Sequence, residues 1–285
     1  MGSKVGLAIT TYNREEYLTR ALASVPSSNL DELVVVNDGQ PVPQLFSKGF
    51  SVIQHQRNLG VGPSKNDGIR YLLGRGCDHI FVMEDDMEIV HESIFRVYVD
   101  AARRTGIGHF NYGPGFAFNR HQDAKLGIHN QHLANYEAPL KKLLTANYGG
   151  GVSICFFPNL GGMFSYFSRQ CLDCVGLMDE NFFNVFEHVE HTYRISRSRF
   201  HPPFWWFADV DGSENYIVSQ EGSMEKSSIS FRSDEVDPVW QKRMNEGAAY
   251  FREKTGFLPA AVPRSSKRHL VEYLNSVNPR SKLES

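Results

Sequence analysis

The chain has 285 residues, with 30 Lys and Arg against 32 Asp and Glu and a formal net charge of -2. This balance argues against nucleic acid as the main partner, because proteins that read a polyanion usually carry a basic face. The hydrophobic share of 41% excludes a wholly disordered chain or a fibrous repeat. The length fits one large α/β domain or two small ones.

No stretch of the sequence approaches the roughly 20 consecutive apolar residues that a membrane-spanning helix needs. The N-terminus, MGSKVGLAITTYN, lacks the charged and apolar segments of a secretory signal. We therefore expect no transmembrane segment and a cytoplasmic location, free or peripherally attached to a membrane. The four cysteines are too few for a disulfide scaffold in a chain of this length.

The first hundred residues alternate short β-rich runs with helical patterns, which predicts parallel strands joined by crossover helices. The predicted strands are Val5–Thr10, Glu32–Val36, Phe50–His55 and His79–Met83, and the predicted helices are Arg14–Ser24, Pro63–Gly74 and Glu92–Thr105. Ligands bind at the carboxyl ends of such strands. The sequence places polar residues at three of these ends: Thr11, Tyr12 and Asn13, then Asn37 and Asp38, then Glu84, Asp85 and Asp86.

The regular pattern fails between residues 106 and 151, where Gly, His, Asn and Tyr are frequent, and we expect a functional or mobile loop there. Further elements follow it: strands at Val152–Phe157, Gly162–Ser168 and Phe204–Val210, and helices at Arg169–Val175 and Glu187–Ser196. An amphipathic helix is predicted over Pro238–Lys254 from the spacing of Trp240, Met244, Ala248 and Phe251. A short helix is predicted over Lys267–Leu274.

The sharpest chemical feature is the apolar strand HIFVM running into three acids, Glu84, Asp85 and Asp86. Adjacent carboxylates repel one another, and a divalent cation offsets that repulsion. Oxygen ligands suit Mg²⁺ or Mn²⁺, which keep coordination positions for water and substrate phosphates. The alternative is a solvated acidic turn, and the position at the carboxyl edge of a sheet favours the metal.

At these motifs the chain resembles the GT-A nucleotide-sugar glycosyltransferases, in particular the inverting glycosyltransferase family 2, over about residues 4–195. The resemblance implies an α/β fold of GT-A type: a Rossmann-like, mostly parallel central sheet flanked by helices, with a smaller acceptor-side subregion. It implies a nucleotide-sugar-binding half at 1–110, an acceptor-binding and catalytic half at 111–235, and C-terminal helices with a tail at 236–285. All three would form a single GT-A domain.

Three segments carry the donor side of the resemblance. LAITTYNREEYLTRAL resembles the opening strand and helix, and VVVNDGQ resembles the motif that receives uracil and ribose, with Asn37 in place of its first acid. RNLGVGPSKNDGI resembles the next stretch, with Lys65 in place of an arginine. The acid triplet falls at the family's Asp-x-Asp motif, which implies that Asp86 binds the metal and that Asp85 or Glu84 contacts the metal or the ribose. The residues implied to bind the donor are Thr10, Thr11, Tyr12, Asn13, Arg14, Asn37, Asp38, Asn58, Lys65, Glu84 and Asp85, with Asp86 and Asp85 as metal ligands.

The segment 159–195 resembles the family's second signature. Matching residues are Gly161, Gly162, Arg169, Val175, Gly176, Asp179, Glu180 and Phe183. In the family, a Glu-Asp pair follows and supplies the catalytic base, but here the pair reads Glu187 and His188. Because Glu187, His188 and Glu190 lie within one helical turn, each is a candidate base, and the carboxylates are favoured. The alternative is a salt-bridged, exposed helix start. A third metal ligand has only weak candidates: His201, Asp209 and Asp211.

Two other features remain open at this point. Cys171-x2-Cys174 and His188-x2-His191 form a possible zinc set, although the His spacing is one residue short of the usual pattern. Several aromatic residues suit either sugar stacking or a buried core: Phe110, Tyr112, Phe116, Phe118, Tyr148, Phe204, Trp205 and Trp206.

The sequence and its resemblance together predict a metal-dependent inverting glycosyltransferase. It would move a sugar from a nucleotide diphosphate donor, with UDP expected, to a hydroxyl of a glycan or other acceptor, with Mn²⁺ or Mg²⁺ as cofactor. A role in polysaccharide biosynthesis is implied by the resemblance alone. The alternatives are a nucleotidyltransferase of the sugar-nucleotide type and a non-catalytic zinc- or sugar-binding module. Because the acids concentrate at Glu84–Asp86 and Glu187–Glu190, we also expect one strongly acidic cleft.

Overall fold

The computed structural model describes residues 2–43, 45, 49–116, 119–120, 138–220, 238–258, 264–278 and 282–284. Its strands are β1 (Val5–Thr11), β2 (Glu32–Asn37), β3 (Ser51–Gln54), β4 (His79–Glu84), β5 (Met87–Ile89), β6 (His109–Asn111), β7 (Leu144–Asn147), β8 (Ser153–Phe157), β9 (Phe164–Ser168), β10 (Phe207–Val210), β11 (Ile217–Ser219) and β12 (Lys282–Glu284). Its helices are α1 (Glu15–Ser24), α2 (Val61–Gly74), α3 (Ile94–Thr105), α4 (Arg169–Val175), α5 (Glu187–Ser196), α6 (Pro238–Thr255) and α7 (Lys267–Val277).

Six strands form the central sheet, in the order β3-β2-β1-β4-β9-β6. The first four are parallel, and β9 pairs antiparallel with both β4 and β6. The strand order reverses between β1 and β4, and the crevice at such a reversal is where open α/β sheets bind ligands. Thr10 and Glu84 are paired at this carboxyl edge, so the fold brings the predicted polar residues together there.

Two smaller sheets accompany the central sheet in the part of the chain that the structure describes. One has four antiparallel strands in the order β10-β8-β7-β12, and the other joins β11 to β5. The pairing of β11 with β5 places residue 220 next to the acid triplet, because β5 begins directly after Asp86. The predicted division at residue 110 falls inside β6, and the division at residue 235 lies outside the described residues.

The core beneath the sheet is rich in aromatic rings. Phe81 on β4 lies within 5.0–6.0 Å, between ring centroids, of Phe95, Tyr98, Phe164 and Tyr166. Rings at these distances and angles add to the stabilisation that burial provides. This packing supports β4, whose end carries the acid triplet.

The aromatic candidates for sugar stacking divide in the structure. Phe110 and Tyr112 are buried, with 0% and 3% of their surfaces exposed, as is Phe204. These three belong to the core because their rings pack on other apolar side chains. Phe118 lies outside the described residues, as does the side chain of Trp240.

Several predicted boundaries were wrong, each for a local reason. Strand β10 begins at Phe207 and not at Phe204, because Trp205 has a φ of 83° and the N–H of Trp206 donates to the carbonyl of Pro203 at 3.1 Å. The irregular stretch 106–151 contains β6 and β7, which are only three and four residues long. The periodicity of such short strands is too brief to recognise. No helix among the described residues has the length and apolar character needed to cross a membrane.

A glycine fixes the distance between α2 and the sheet. A Cβ on Gly68 would lie 2.5 Å from the Cβ of Ala8 on β1, closer than two carbon atoms can pack. We expect Gly68→Ala to lower the free energy of unfolding by about 1–3 kcal/mol, the usual range for overpacking, as measured by urea unfolding. The matched control is Gly74→Ala at the exposed end of the same helix, where a Cβ meets nothing within 4 Å. Equal stability of the two variants would contradict this packing account.

Candidate active site

The acid triplet occupies the end of β4 and the turn that follows it. The N–H of Asp85 donates to the carbonyl of Thr10 at 3.1 Å. Gln220 clamps the turn from the opposite side, since its amide nitrogen donates to the carbonyl of Asp85 at 2.9 Å and its backbone N–H to that of Asp86 at 2.7 Å. No sequence pattern indicated Gln220, because it lies 135 positions beyond Asp85 in the chain and reaches the turn through the pairing of β11 with β5.

Asp85 is the most deeply buried of the three acids, with no exposed surface. The hydroxyl of Thr11 donates to its Oδ2 at 2.6 Å, and Arg14 Nη2 pairs with its Oδ1. Burial raises the pKa of Asp85 to about 7, although the positive charge of Arg14 opposes that rise. Asp85 is therefore held by two side chains that were predicted to bind the donor.

Asp86 shares the same arginine. Its Oδ2 lies 3.3 Å from Arg14 Nη1, while its Oδ1 is buried and has no hydrogen-bond partner among the described residues. Burial raises the pKa of Asp86, again against the effect of Arg14. The side chain thus keeps one carboxylate oxygen available to a ligand.

Lys65 links the triplet to the second signature. The side chain is 1% exposed, and its Nζ donates to Glu84 Oε1 at 2.7 Å and to the carbonyl of Gly162 at 2.8 Å. Glu187 Oε1 lies 3.5 Å from the same nitrogen. Although burial favours the neutral amine, the charges of Glu84 and Glu187 raise the pKa of Lys65. The lysine is therefore a fixed positive charge between the two acidic segments.

Glu187 and His188 form a hydrogen-bonded pair at the start of α5. His188 Nδ1 lies 3.0 Å from Glu187 Oε1, and the two side chains are 23% and 3% exposed respectively. Although burial opposes ionisation of Glu187, the charges of His188 and Lys65 lower its pKa to about 2. A Cβ on Gly162 would lie 3.0 Å from both the His188 ring and Lys65 Nζ, so glycine makes room for this arrangement.

Glu190, the third candidate base, is engaged elsewhere. Its carboxylate accepts two hydrogen bonds from Arg194, at 2.8 and 3.0 Å, and lies 2.9 Å from Lys254 Nζ. Arg194 in turn donates to the carbonyls of Val175 and Leu177 at 2.7 and 2.6 Å. Glu190 therefore joins α5 to α6 through Lys254, and through Arg194 it joins α5 to the segment that follows α4.

The acids of the second signature also serve its shape. Asp179 accepts hydrogen bonds from Tyr250 at 3.0 Å and from Lys254 at 2.5 Å. Glu180 accepts from Asn66 at 2.9 Å, and the same asparagine exchanges hydrogen bonds with the backbone of Met178. These contacts attach the second signature to α2 and α6.

Asp38 was predicted to contact the nucleotide. In the structure, both of its carboxylate oxygens are hydrogen-bonded to groups of the chain itself. Oδ1 lies 2.7 Å from His55 Nδ1 and accepts the N–H of Leu59 at 2.7 Å, and Oδ2 accepts the N–H of Gly60 at 2.8 Å. Gly60 has a φ of 98°, which favours glycine. Asp38 thus fixes the loop that leads into α2.

Asn37 and Asn13 shape the neighbouring loop. The amide nitrogen of Asn37 donates to the carbonyl of Gln40 at 2.7 Å and to Gln54 Oε1 at 2.9 Å. Asn13, with a φ of 54°, accepts the N–H of Gln40 through its Oδ1 at 2.7 Å. Gln54 and His55 on the β3 side were not predicted as part of the site.

Two of the predicted donor residues keep groups available to a ligand. Tyr12 is 36% exposed at the end of β1. The Oδ1 of Asn58 is buried and finds no hydrogen-bond partner among the described residues. Both lie in loops at the carboxyl edge of the parallel strands, which is the expected place for a nucleotide.

The proposed third metal ligands and the zinc set do not converge. Over the described ranges, no group of three His, Cys, Asp or Glu side chains is arranged to hold a metal ion. Asp209 is buried among four donors: the hydroxyls of Tyr98 and Ser213 and the N–H groups of Gly113 and Val210. Asp211 pairs with Lys142 at 2.7 Å. Cys171 is buried whereas Cys174 is exposed.

The buried ring of His201 should make the stability of the fold depend on pH. Burial lowers its pKa to about 4, so between pH 6.5 and about 4 the unfolded chain binds a proton that the folded chain does not, and acid favours unfolding. As the pH falls from 8 to 5, this group should lower the free energy of unfolding by about 2 kcal/mol. In urea unfolding, the free energy of unfolding of His201→Asn should therefore fall by about 2 kcal/mol less than that of the wild type between pH 8 and pH 5. His269→Asn, at an exposed position, is the control, and equal pH dependence of all three proteins would refute the prediction.

The prediction of a strongly acidic cleft was wrong in one respect. The acids do converge, but Lys65, which is buried, and Arg14, which is 14% exposed, lie among them and balance part of their charge. A count of charges along the sequence could not show which basic residues are buried.

The residues present are compatible with a divalent cation of the implied kind. Mg²⁺ is usually bound by one or two carboxylates together with substrate phosphates and water. The buried, unpartnered Oδ1 of Asp86 is an oxygen of the required type, and Asp85 lies beside it. A cation held by this edge would therefore depend on a bound diphosphate for its remaining ligands.

Two sequence comparisons bear on identity. The model described as glycosyl transferase family 2 matches residues 7–169, which include the acid triplet and Lys65 and end before Glu187. An uncharacterized glycosyltransferase of Acanthamoeba polyphaga mimivirus is 25% identical over 246 residues, covering 79% of this chain and 85% of that protein.

The fold is similar to that of two solved proteins. S. aureus TarS 1–349 matches with a TM-score of 0.52 and 12% identity, over 97% of this chain and 71% of that chain. The mannosyltransferase PcManGT from Pyrobaculum calidifontis, solved with GDP-Man and Mn²⁺, matches with a TM-score of 0.53 and 12% identity, over 97% and 69%. These likenesses confirm the predicted GT-A fold. Since the family model matches more than half of its length, the chain belongs to glycosyltransferase family 2, and the predicted enzyme class is confirmed.

Proposed function

We propose that this chain transfers a sugar from a nucleotide diphosphate donor, with UDP as the expected nucleotide, to a hydroxyl of a glycan or other acceptor. The transfer inverts the anomeric carbon and uses Mn²⁺ or Mg²⁺. The observation that carries the proposal is the meeting of Arg14, Lys65 and the free Oδ1 of Asp86 at the strand-order reversal between β1 and β4. Proteins of the same fold have been solved with UDP and with GDP-Man and Mn²⁺.

The donor side of the mechanism rests on fixed charges. Asp86, with Asp85, would hold the metal, which when bound neutralises charge on the departing diphosphate. Lys65 adds positive charge at the same edge, and a charge already in position needs no reorganisation during the reaction. Arg14 adds a second positive charge that can pair with phosphate oxygens. Tyr12 would contact the nucleotide, and loops shaped by residues such as Asp38 would receive it.

The acceptor side rests on the pair formed by Glu187 and His188. Glu187 Oε1 lies 3.0 Å from His188 Nδ1 and 3.5 Å from Lys65 Nζ, so this oxygen is held by two neighbours. In the tautomer in which Nδ1 donates to Glu187, Nε2 is left to take a proton. His188 is also the more exposed of the two. We therefore assign the base to His188 and its orientation to Glu187, and we leave Glu190 in its structural ion pairs.

The reaction then follows as a single displacement. The acceptor oxygen bonds to the anomeric carbon as its proton passes to His188 Nε2, and the bond from that carbon to the diphosphate oxygen breaks. Attack and departure on opposite faces of the sugar invert the configuration. Glu187 stabilises the imidazolium that forms, as a carboxylate does when it orients a catalytic histidine.

Nucleotide binding tests the donor assignment. In a calorimetric titration we expect UDP to bind at least tenfold more tightly with Mn²⁺ than without it, because the metal and Asp86 would hold the diphosphate together. GDP and dTDP serve as comparison nucleotides. Equal UDP affinity with and without Mn²⁺ would argue against a metal diphosphate site.

A further inference from the structure

Arg14 pairs with the two acids that we propose as metal ligands. It lies directly before α1, and its guanidinium reaches the turn after β4, where it pairs with Asp85 Oδ1 and lies 3.3 Å from Asp86 Oδ2. The side chain is 14% exposed. The carboxylates that would hold a divalent cation are thus already paired with a cation of the chain itself.

Each partner of this ion pair has one polar atom without a hydrogen-bond partner among the described residues. Arg14 Nε has no acceptor, and Asp86 Oδ1 has no donor, among the described residues, and both atoms are buried. Buried polar atoms without partners are costly and uncommon in native proteins. The spare donor suits a phosphate oxygen and the spare acceptor suits a cation, so the arrangement is complete only with both added.

We propose that Arg14 is the resident counter-ion of Asp85 and Asp86, and that it competes with a divalent cation for their oxygens. The cation then binds tightly only when the guanidinium turns away. A nucleotide diphosphate favours that movement, because a guanidinium pairs with phosphate oxygens in the same forked geometry that it uses with carboxylates. This inference takes from the proposed function only the identity of the metal and the donor.

The second cation of the site is less able to move. Lys65 is held by Glu84, Glu187 and the carbonyl of Gly162, and it is 1% exposed. The ion pairs of Arg14 join it to the two proposed metal ligands alone. The competition is therefore specific to Arg14.

The test is a calorimetric titration of Mn²⁺ in the absence of any nucleotide. We expect Arg14→Gln to bind Mn²⁺ at least fivefold more tightly than Arg20→Gln. Arg20 is the matched control because it lies on the same side of the molecule, on α1, where it pairs with Glu16 and stacks 4.7 Å over the ring of Tyr17. The control removes one positive charge without touching the acids. A gain below fivefold would overturn the inference.

A second variant guards against a folding defect. If Arg14→Gln does not fold, Arg14→Lys replaces it and is compared with Arg20→Lys under the same fivefold criterion, since lysine keeps the charge but is shorter and lacks the planar fork of the guanidinium. The titration contains no donor. Its failure therefore leaves the transferase proposal intact, and failure of a donor assay leaves this inference intact.

Discussion

Replacing His188 by alanine is expected to lower the turnover of sugar transfer by about 10²–10⁴-fold, the range lost with a general base. The expectation follows from the pair at the start of α5, in which Glu187 holds Nδ1 of the ring and leaves Nε2 free. Donor affinity should change little, because His188 contacts neither Arg14 nor Asp86. The measurement is steady-state turnover together with calorimetric UDP affinity.

Two further variants separate the base from a merely structural residue. Imidazole added to His188→Ala should restore part of the turnover, and His188→Asp, which rebuilds the family's Glu-Asp pair, should retain measurable transfer. Glu187→Gln should lower turnover less than His188→Ala, because it removes only the orienting partner. A large loss in Glu187→Gln beside near-normal His188→Ala would transfer the role of base to the carboxylate.

Asp86→Asn is expected to lower sugar transfer by at least about 100-fold, since a metal supplies several kcal/mol of charge stabilisation in the transition state. The fold should remain, because the substitution keeps the side chain's size and Arg14 retains Asp85 as a partner. Turnover and the Mn²⁺ dependence of UDP affinity are the quantities to measure, and both should fall together.

Glu92→Gln is the control for this prediction. It removes an acidic charge at an exposed position six residues further along the chain. Near-normal transfer by folded Asp86→Asn would contradict the metal assignment. If Glu92→Gln lost sugar transfer to the same extent, the effect would be due to net charge and not to the metal site.

Much of the fold follows from patterns that are local in the sequence. Strands β1, β2 and β4 are predicted because buried parallel strands are short, nearly continuous apolar runs. Their order along the chain then places Thr11, Asn37 and Glu84 at one edge of the sheet. The predicted site residues therefore lie at one edge of the sheet, and their roles stay predictions.

The remaining parts of the site depend on contacts between distant segments. Gln220 reaches the acid turn only because β11 pairs with β5, and Lys254 reaches Glu190 only because α6 packs near α5. Burial is likewise a property of the folded chain. The sequence therefore could not show that Arg14 and Lys65 are enclosed among the acids, or that Phe110 belongs to the core.

A donor screen tests the central claim most directly. The wild-type chain is incubated with UDP-, GDP- and dTDP-sugars, with and without Mn²⁺, and release of the nucleotide diphosphate is measured. The account predicts Mn²⁺-dependent release from a UDP-sugar, and loss of that release in Asp86→Asn. Absence of release from all three donor classes by a folded protein that also fails to bind UDP would contradict it.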